Sequence, residues 1–146
     1  LVVDMPPAES TELRGQLQAA GIDTIYLVSP TTNADRAAFI AKYSSGYLYY
    51  ISLKGVTGAA LTDHESVRKN IEALRKLTDL PIVIGFGIKD GTSARAMAEL
   101  SDGVVIGSAL VAKIAKLAVS EGISEEQISF TIAIIKEARK EINKIV

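Results

Sequence analysis

The sequence predicts an α/β fold with a parallel sheet, and three features of its pattern support this class. Short apolar runs rich in β-branched residues alternate with amphipathic helical segments along all 146 residues. The runs are almost continuously hydrophobic, which is typical of parallel strands covered on both faces. No linker or low-complexity stretch interrupts the alternation, so we expect residues 1–146 to form a single domain.

The pattern contains five predicted strands, at residues 1–4, 24–28, 47–51, 81–86 and 103–106. The chain opens with Leu1 instead of Met, on a strand that is already under way, so we expect the native chain to extend upstream. Five βα units fit either an open doubly wound sheet or most of an eight-stranded barrel. Periodicity does not choose between these two architectures, so the loops after the strands must decide.

Helical segments are predicted between the strands, and capping signals mark several of their ends. The segments cover residues 8–20, 34–43, 92–100 and 109–119, with two more that begin near Thr62 and after Ser124. Gly21 suits a helix C-cap and Asn33 an N-cap, while Thr62 and Ser124 each open a capping-box pattern. On the last helix, the spacing predicts one apolar stripe made of Ile128, Ile132, Ile135 and Ile142.

Composition and charge argue against several classes of function. The formal net charge is −1, so nothing favours nucleic acid or a membrane as a partner. The chain has no cysteine, which removes disulfides and thiolate catalysis and fits a cytoplasmic location. His64 is the one histidine, and we expect it at an exposed helix start and not in a metal site. No dinucleotide fingerprint, P-loop or nucleophile elbow occurs, and we expect no cofactor.

Two glycines follow the last two predicted strands at the point where each gives way to a helix. Glycine lets a ligand approach the backbone closely, and free N–H groups at a helix start favour an anion. Gly87 and Gly107 therefore predict a phosphate site, to which the hydroxyl of Ser108 and the backbone of Gly58 would contribute. The alternative interpretation is that these glycines only permit tight βα turns.

Other candidates lie at the same ends of the strands. Residues 55–58 belong to a long connection of the kind that forms a mobile active-site loop. Tyr49 shares a strand face with Tyr47, and both Tyr49 and Phe86 are either core residues or walls of a pocket for a flat ligand. Asp4 ends a buried strand, where a carboxylate needs a partner, so it is a weak catalytic candidate beside a purely structural role.

Six segments of the chain resemble the tryptophan synthase alpha subunit in order and spacing. They are Asp4-Met5-Pro6-Pro7-Ala8-Glu9-Ser10, Ser29-Pro30-Thr31-Thr32, Gly46-Tyr47-Leu48-Tyr49-Tyr50-Ile51-Ser52, Gly55-Val56-Thr57-Gly58, Gly85-Phe86-Gly87-Ile88 and Val105-Ile106-Gly107-Ser108-Ala109. The resemblance covers essentially the whole chain. It implies an eight-stranded (βα) barrel of the TIM type, to which this chain supplies strands four to eight and a C-terminal helix.

The resemblance also implies a reaction, which is the retro-aldol cleavage of indole-3-glycerol phosphate to indole and glyceraldehyde 3-phosphate. Indole would then pass to a beta subunit in an alpha-beta-beta-alpha complex. By position, the substrate phosphate would be held by Gly58, Gly87, Gly107 and Ser108. The indole pocket would be walled by Tyr49, Phe86, Leu1, Val3, Val28 and Val105. Thr57 would support catalysis from the closing loop.

The family's catalytic glutamate and aspartate correspond to positions upstream of Leu1, so the resemblance implies that the acid and base lie outside this sequence. Lys54 and Lys89 stand where small polar residues are common in the family. Two further hypotheses remain open: a non-catalytic module that binds phosphate ligands or a beta subunit, and another phosphate-binding barrel such as indole-glycerol-phosphate synthase or thiamine phosphate synthase. An unpaired strand at residues 1–4 also predicts that the chain alone self-associates and lacks lyase activity.

Overall fold

The computed structural model describes residues 1–52, 64–85, 87–117 and 122–145. In this part of the chain, helices and strands alternate until the two last helices. In chain order the elements are α1 (Thr11–Ala19), β1 (Tyr26–Val28), α2 (Ala34–Tyr43), β2 (Leu48–Ile51), α3 (His64–Arg75), β3 (Ile82–Gly85), α4 (Gly91–Ala98), β4 (Gly103–Val105), α5 (Ser108–Ile114) and α6 (Glu125–Ile142). None of the described helices is long and apolar enough to cross a membrane.

The strands form one parallel sheet in the order β1-β2-β3-β4. Leu48 pairs with Tyr26 on one side and Ile82 on the other, so these three residues form one row across the sheet. A second row near the carboxyl end joins Ile51, Gly85 and Val105. The predicted parallel α/β class is confirmed, and four of the five predicted strands are present.

The first predicted strand, at residues 1–4, is wrong. These residues lie outside the sheet, with a turn at Val3 and Asp4, and Leu1 and Val3 are 52% and 63% exposed. Asp4 has a φ of 61°, a left-handed conformation that ends an extended run. Two prolines follow at positions 6 and 7, and they remove the backbone N–H groups that a ladder would need.

The helices cover one face of the sheet, and the hydrophobic core lies between them. Along each strand alternate side chains point into this core, which contains Tyr26, Val28, Leu48, Tyr50, Ile82 and Ile84. The core is completed by Ala37 and Ile40 of α2, Val67, Ile71 and Leu74 of α3, and Ala94 and Met97 of α4. The opposite face carries Leu27, Tyr49, Ile51, Val83 and Val105, which are only half-buried. We expected both faces of the sheet to be covered. In the described residues, helices cover one face and the other face is only half-buried.

The apolar stripe predicted for α6 is wrong in its rotation about the helix axis. Ile128, Ile132 and Ile135 are 48%, 39% and 41% exposed, while Ile142 packs partly against the core. The residues that α6 buries are Thr131, Ile134 and Ala138. The helix α6 lies so close against α4 that α4 has room only for a glycine at position 91. A Cβ atom added to Gly91 of α4 would stand 2.8 Å from Cγ of Glu141.

Three of the predicted capping residues are confirmed. Asn33 accepts a hydrogen bond from the N–H of Arg36, and Ser124 forms a capping box with Gln127. Gly21 has a φ of 70° just after α1, and the N–H of Ile22 donates to the carbonyl of Leu17, as in a Schellman motif. The predicted capping residue Thr62 lies outside the described residues.

Candidate functional site

The site that the glycines predict lies at the carboxyl edge of β3 and β4. Gly85 and Val105 are paired in the parallel register, and Gly87 and Gly107 each follow this pair by two residues. Because the strands are parallel, both glycines emerge at the same edge of the sheet. Ser108 begins α5 directly after Gly107, and its side chain is exposed. The structure therefore brings Gly87, Gly107 and Ser108 to one edge, while Gly58 lies outside the described residues.

Gly87 and Gly107 differ in backbone conformation, and this difference indicates why each position is a glycine. Gly87 has a φ of 78°, which favours glycine whatever surrounds it. Gly107 has a φ of −105°, outside the left-handed region, and an added Cβ atom would meet no other heavy atom within 4 Å. Gly107 is therefore required neither by a left-handed backbone conformation nor by a neighbouring atom that a side chain would hit. Close approach of a ligand to the backbone is a physical reason for glycine there.

A capping interaction after Gly87 holds the start of α4, and the sequence analysis missed it. The carboxylate of Asp90 accepts hydrogen bonds of 2.7 Å from both the N–H and the hydroxyl of Ser93. These bonds hold the pKa of Asp90 below its usual range. The hydroxyl of Ser93 also accepts a hydrogen bond from the N–H of Lys89. In the sequence, an aspartate three residues before a serine is the pattern of such a capping box. It indicates that the helix begins after Asp90, one residue earlier than the predicted start at Thr92.

The half-buried face of the sheet carries two of the residues that were predicted to wall an indole pocket. Tyr49 and Val105 lie on this face, and the phenol of Tyr49 crosses the bare Cα of Gly85. A Cβ atom on Gly85 would stand 1.9 Å from the hydroxyl oxygen of Tyr49, so only glycine leaves room for the ring. Burial, and to a lesser extent the neighbouring Tyr47, raises the pKa of Tyr49, so its hydroxyl is neutral at pH 7.

Three predicted pocket residues need correction. Val28 is 2% exposed and belongs to the helix-covered core, on the face opposite to Tyr49. Its neighbour Leu27 lies on the same face as Tyr49, because successive side chains of a strand point to opposite faces. Leu1 and Val3 lie outside every described strand, so they do not extend the wall of the sheet. Phe86 lies outside the described residues.

A cavity of about 550 Å³ lies between the N-terminal residues and the end of β1, at the margin of the same half-buried face. Its apolar side includes Val3, Leu27 and Ile51, and Asp4 is the one carboxylate among its described lining residues. A hydroxyl cluster forms another side, in which the Ser29 hydroxyl lies 2.9 Å from that of Thr31 and 3.2 Å from that of Thr32. Asp4 therefore faces a real cavity, although it does not end a strand.

Comparison with known proteins identifies the family. A family model described as the tryptophan synthase alpha chain matches residues 1–141. The chain belongs to the tryptophan synthase alpha chain family. The tryptophan synthase alpha chain of Chromobacterium violaceum is 49% identical over 138 residues, which cover 94% of this chain and 52% of the relative. That of Burkholderia mallei is 52% identical over 111 residues, which cover 76% of this chain and 41% of the relative. The chain thus spans about half the length of the curated relatives it matches.

Solved structures give the same family. Tryptophan synthase subunit alpha from Legionella pneumophila is 32% identical and superposes with a TM-score of 0.78, covering 99% of this chain and 51% of the other. The subunit from Campylobacter jejuni is 26% identical, with a TM-score of 0.78 and 52% of its chain covered. The parallel sheet and its helices therefore match about half of a tryptophan synthase alpha barrel.

The remaining predictions for this member of the tryptophan synthase alpha family concern single residues. His64 is the first residue of α3 and is exposed, as expected. The described residues contain no cluster of His, Asp and Glu side chains that would hold a metal ion. Lys89 is exposed beside the Gly87 turn. Thr57 and Lys54 lie outside the described residues.

Proposed function

We propose that this chain carries the substrate-binding part of an indole-3-glycerol phosphate lyase of tryptophan biosynthesis. Family membership supports the choice of reaction. The carboxyl edge of β3 and β4 supports binding of the substrate phosphate. The half-buried face that contains Tyr49 and Val105 would hold the indole ring. The exposed backbone around Gly87, Gly107 and Ser108 would hold the phosphate, with Gly58 as a further contributor.

The observation that carries the proposal is the open space at Gly107. An added Cβ atom there meets no heavy atom within 4 Å, although the residue lies at the carboxyl edge beside Gly87. A phosphate oxygen needs this space to reach backbone N–H groups, and hydrogen bonds to a charged partner are stronger than neutral ones. A glycine that served only a tight turn would be expected in a left-handed conformation, as Gly87 is.

The chemistry needs two proton transfers, one to the indole ring and one from a glycerol hydroxyl, and carboxylates suit both tasks. Asp4 supplies one carboxylate at the cavity beside β1. A single carboxylate is poorly suited to both the protonation of the indole ring and the deprotonation of the glycerol hydroxyl. We therefore propose that the acid and base are the carboxylates that the family resemblance puts upstream of Leu1. On this proposal the 146 residues bind the substrate and do not turn it over.

Calorimetric titration with glycerol 3-phosphate tests the phosphate site directly. Gly107→Val should weaken binding by more than about 1 kcal/mol, because the side chain fills the space of the anion. Gly15→Val is a matched control, since Gly15 in α1 also has no atom within 4 Å of an added Cβ and lies far along the chain. Equal affinity of the wild type and a folded Gly107→Val variant would rule out the phosphate site.

A second assay follows indole release from indole-3-glycerol phosphate, and turnover by the 146 residues would assign catalysis to Asp4 or another group of this chain.

Indole is an apolar product that suits direct transfer to a second enzyme, and we propose a tryptophan synthase beta subunit as the partner, in an alpha-beta-beta-alpha complex. Such a biosynthetic enzyme would work in the cytoplasm. Co-sedimentation with a purified beta subunit tests the partnership, and its failure would leave the phosphate site unaffected.

A further inference from the structure

The loop between β3 and α4 carries a positive side chain beside the proposed phosphate site. Gly87 and Lys89 are exposed, whereas Ile88 between them is 4% exposed and packs in the core. Burial of Ile88 therefore anchors the loop and leaves both of its neighbours on the solvent side of the carboxyl edge. An added Cβ atom on Gly87 would meet no described heavy atom within 4 Å beyond its chain neighbours, so the surface next to Lys89 is open.

The start of α4 is capped by side chains of the protein itself. The carboxylate of Asp90 accepts hydrogen bonds of 2.7 Å from both the N–H and the hydroxyl of Ser93. The hydroxyl oxygen of Ser93 accepts hydrogen bonds from the N–H groups of Lys89 and Asp90, at 3.1 and 3.2 Å. Three N–H groups around the helix start are therefore used within the protein, and the Asp90 carboxylate takes the place that an anion would have there.

The same carboxylate puts a negative charge next to the proposed phosphate site. Hydrogen bonds from Ser93 hold the pKa of Asp90 below its usual range, and the ammonium group of Lys89 contributes to this. Asp90 is therefore ionised at pH 7, three residues after Gly87 along the chain. A phosphate monoester carries about 1.5 to 2 negative charges at that pH, and a nearby carboxylate repels it.

Lys89 is the cation that is placed to offset this repulsion. In the described loops that follow β3 and β4, the only charged side chains are those of Lys89 and Asp90. The next cations along the chain are Arg95 and Lys113, which belong to the last turns of α4 and α5 and not to the carboxyl edge. Lys89 is exposed and belongs to none of the ion pairs formed by the described residues, so its ammonium group is available to a ligand.

We propose that Lys89 determines the specificity of the phosphate site, because its ammonium group balances the Asp90 carboxylate and makes the site select a phosphate monoester dianion over a monoanion of the same shape. This role rests on the proposed function, since it deepens the assignment of the site at Gly87 and Gly107. Backbone N–H groups bind any anionic oxygen and distinguish poorly between one charge and two. The Coulomb attraction of an ammonium group grows with the charge of the ligand, so Lys89 supplies the discrimination.

Calorimetric titration of the 146-residue chain with glycerol 3-phosphate and glycerol 3-sulfate tests this role. At about pH 8 the phosphate ester is a dianion, whereas the sulfate ester has the same shape and one negative charge. We expect wild type to prefer the phosphate ester, and Lys89→Gln should weaken its binding at least about threefold while affecting the sulfate ester less. Lys89→Arg should keep the preference, because it keeps the charge. Lys76→Gln is the matched control, since it removes the same charge from an exposed lysine between α3 and β3, at the amino edge of the sheet.

Asp90→Asn tests the balance of charge through the other member of the pair. Asparagine is also a good N-cap residue, so the substitution removes the negative charge and keeps a capping oxygen. We expect Asp90→Asn to tighten the binding of glycerol 3-phosphate about threefold, and the double variant with Lys89→Gln to return close to the wild-type affinity. At about 0.5 M salt both effects should shrink, because charges are then screened over a shorter distance. Far-ultraviolet circular dichroism verifies that each variant keeps its fold.

The outcomes distinguish the role of Lys89 from the phosphate site itself. If Gly107→Val weakens the binding of glycerol 3-phosphate but Lys89→Gln changes neither this affinity nor the preference over the sulfate ester, the phosphate site stands and the role of Lys89 is overturned. Equal effects of Lys76→Gln and Lys89→Gln would also overturn it, because the total charge and not its position would then matter. If wild type does not bind glycerol 3-phosphate, the phosphate site fails and the role of Lys89 fails with it.

Discussion

The phenol ring of Tyr49 occupies the space that a side chain at Gly85 would need. The two residues lie on neighbouring strands, β2 and β3, and a Cβ atom on Gly85 would be 1.9 Å from the Tyr49 hydroxyl oxygen and 2.2 Å from Cζ. This contact sets the position of the ring on the open face of the sheet. The contact also joins Tyr49, which is part of the proposed indole wall, to β3, the strand that leads to Gly87.

The first prediction is that Gly85→Ala destabilises the protein through Tyr49. The ring must swing away, and we expect a loss of about 1–3 kcal/mol in the free energy of unfolding. In a Tyr49→Val background the same substitution should cost less than about half as much, which a double-mutant cycle in urea measures at one protein concentration. Gly103→Ala is the control, because its Cβ would be 3.5 Å from Val83, an ordinary contact. Additive effects of the two substitutions would show that Tyr49 and Gly85 are not coupled.

The second prediction concerns the hydroxyl of Tyr50, which is 1% exposed inside the core. Asn70 of α3 donates a hydrogen bond of 2.9 Å to it. Burial raises the pKa of Tyr50, and the bond from Asn70 lowers it in part. Asn70→Ala should therefore move the pKa of Tyr50 further up and cost about 1–3 kcal/mol of stability. Spectrophotometric titration of tyrosinate, with Tyr50→Phe to identify the signal, measures the first effect. A pKa that stays the same or falls would contradict this role for Asn70.

The third prediction is an acid-dependent loss of stability at Asp102. Its carboxylate accepts hydrogen bonds from the N–H of Ile82 at 2.8 Å and from Arg75 at 3.1 Å. Burial acts to raise the pKa of Asp102, but these two partners hold it below its usual value. The stabilisation is therefore complete above the unfolded pKa of about 3.9 and is lost as the pH falls through the lower folded pKa.

Replacing Asp102 tests this pH dependence. Asp102→Ala should cost about 0.5–1.5 kcal/mol at pH 7, and the difference from wild type should shrink below pH 4. Glu99→Gln serves as the control, since the exposed pair with Arg95 should contribute at most about 1 kcal/mol. Urea unfolding at a series of pH values gives both numbers. A difference that does not change with pH would mean that the charge of Asp102 has no part in stability.

The fourth prediction distinguishes the two sides of α6. Ile134 is 4% exposed, whereas Ile128 is 48% exposed. Ile134→Ala should destabilise the chain by about 2–5 kcal/mol, because it leaves a cavity in the core. Ile128→Ala should change stability by less than about 0.5 kcal/mol when the chain is studied at a concentration at which it is monomeric. The reverse order of the two losses would restore the stripe predicted from sequence.

The sequence by itself determined the class of fold and the place of most elements. Continuous apolar runs and capping residues are local signals, so α2 was predicted with its observed bounds and α6 begins after its capping box at Ser124. The edge with Gly87 and Gly107 was also predictable, because parallel strands bring their carboxyl ends together. These features depend on neighbours in the chain and need no knowledge of packing.

Only the tertiary structure decided which way side chains face and which runs become strands. In β1, both Leu27 and Val28 are apolar, so no polar residue marks the open face, and helix packing alone sends Val28 into the core. In α6, isoleucines occupy several sides of the helix, and the close approach of α4 selects the side with Thr131, Ile134 and Ala138. Residues 1–4 are apolar enough for a strand, but a strand needs a paired neighbour, and the turn at Asp4 replaces it. Local chemistry permits several of these arrangements, and contacts between distant residues select one.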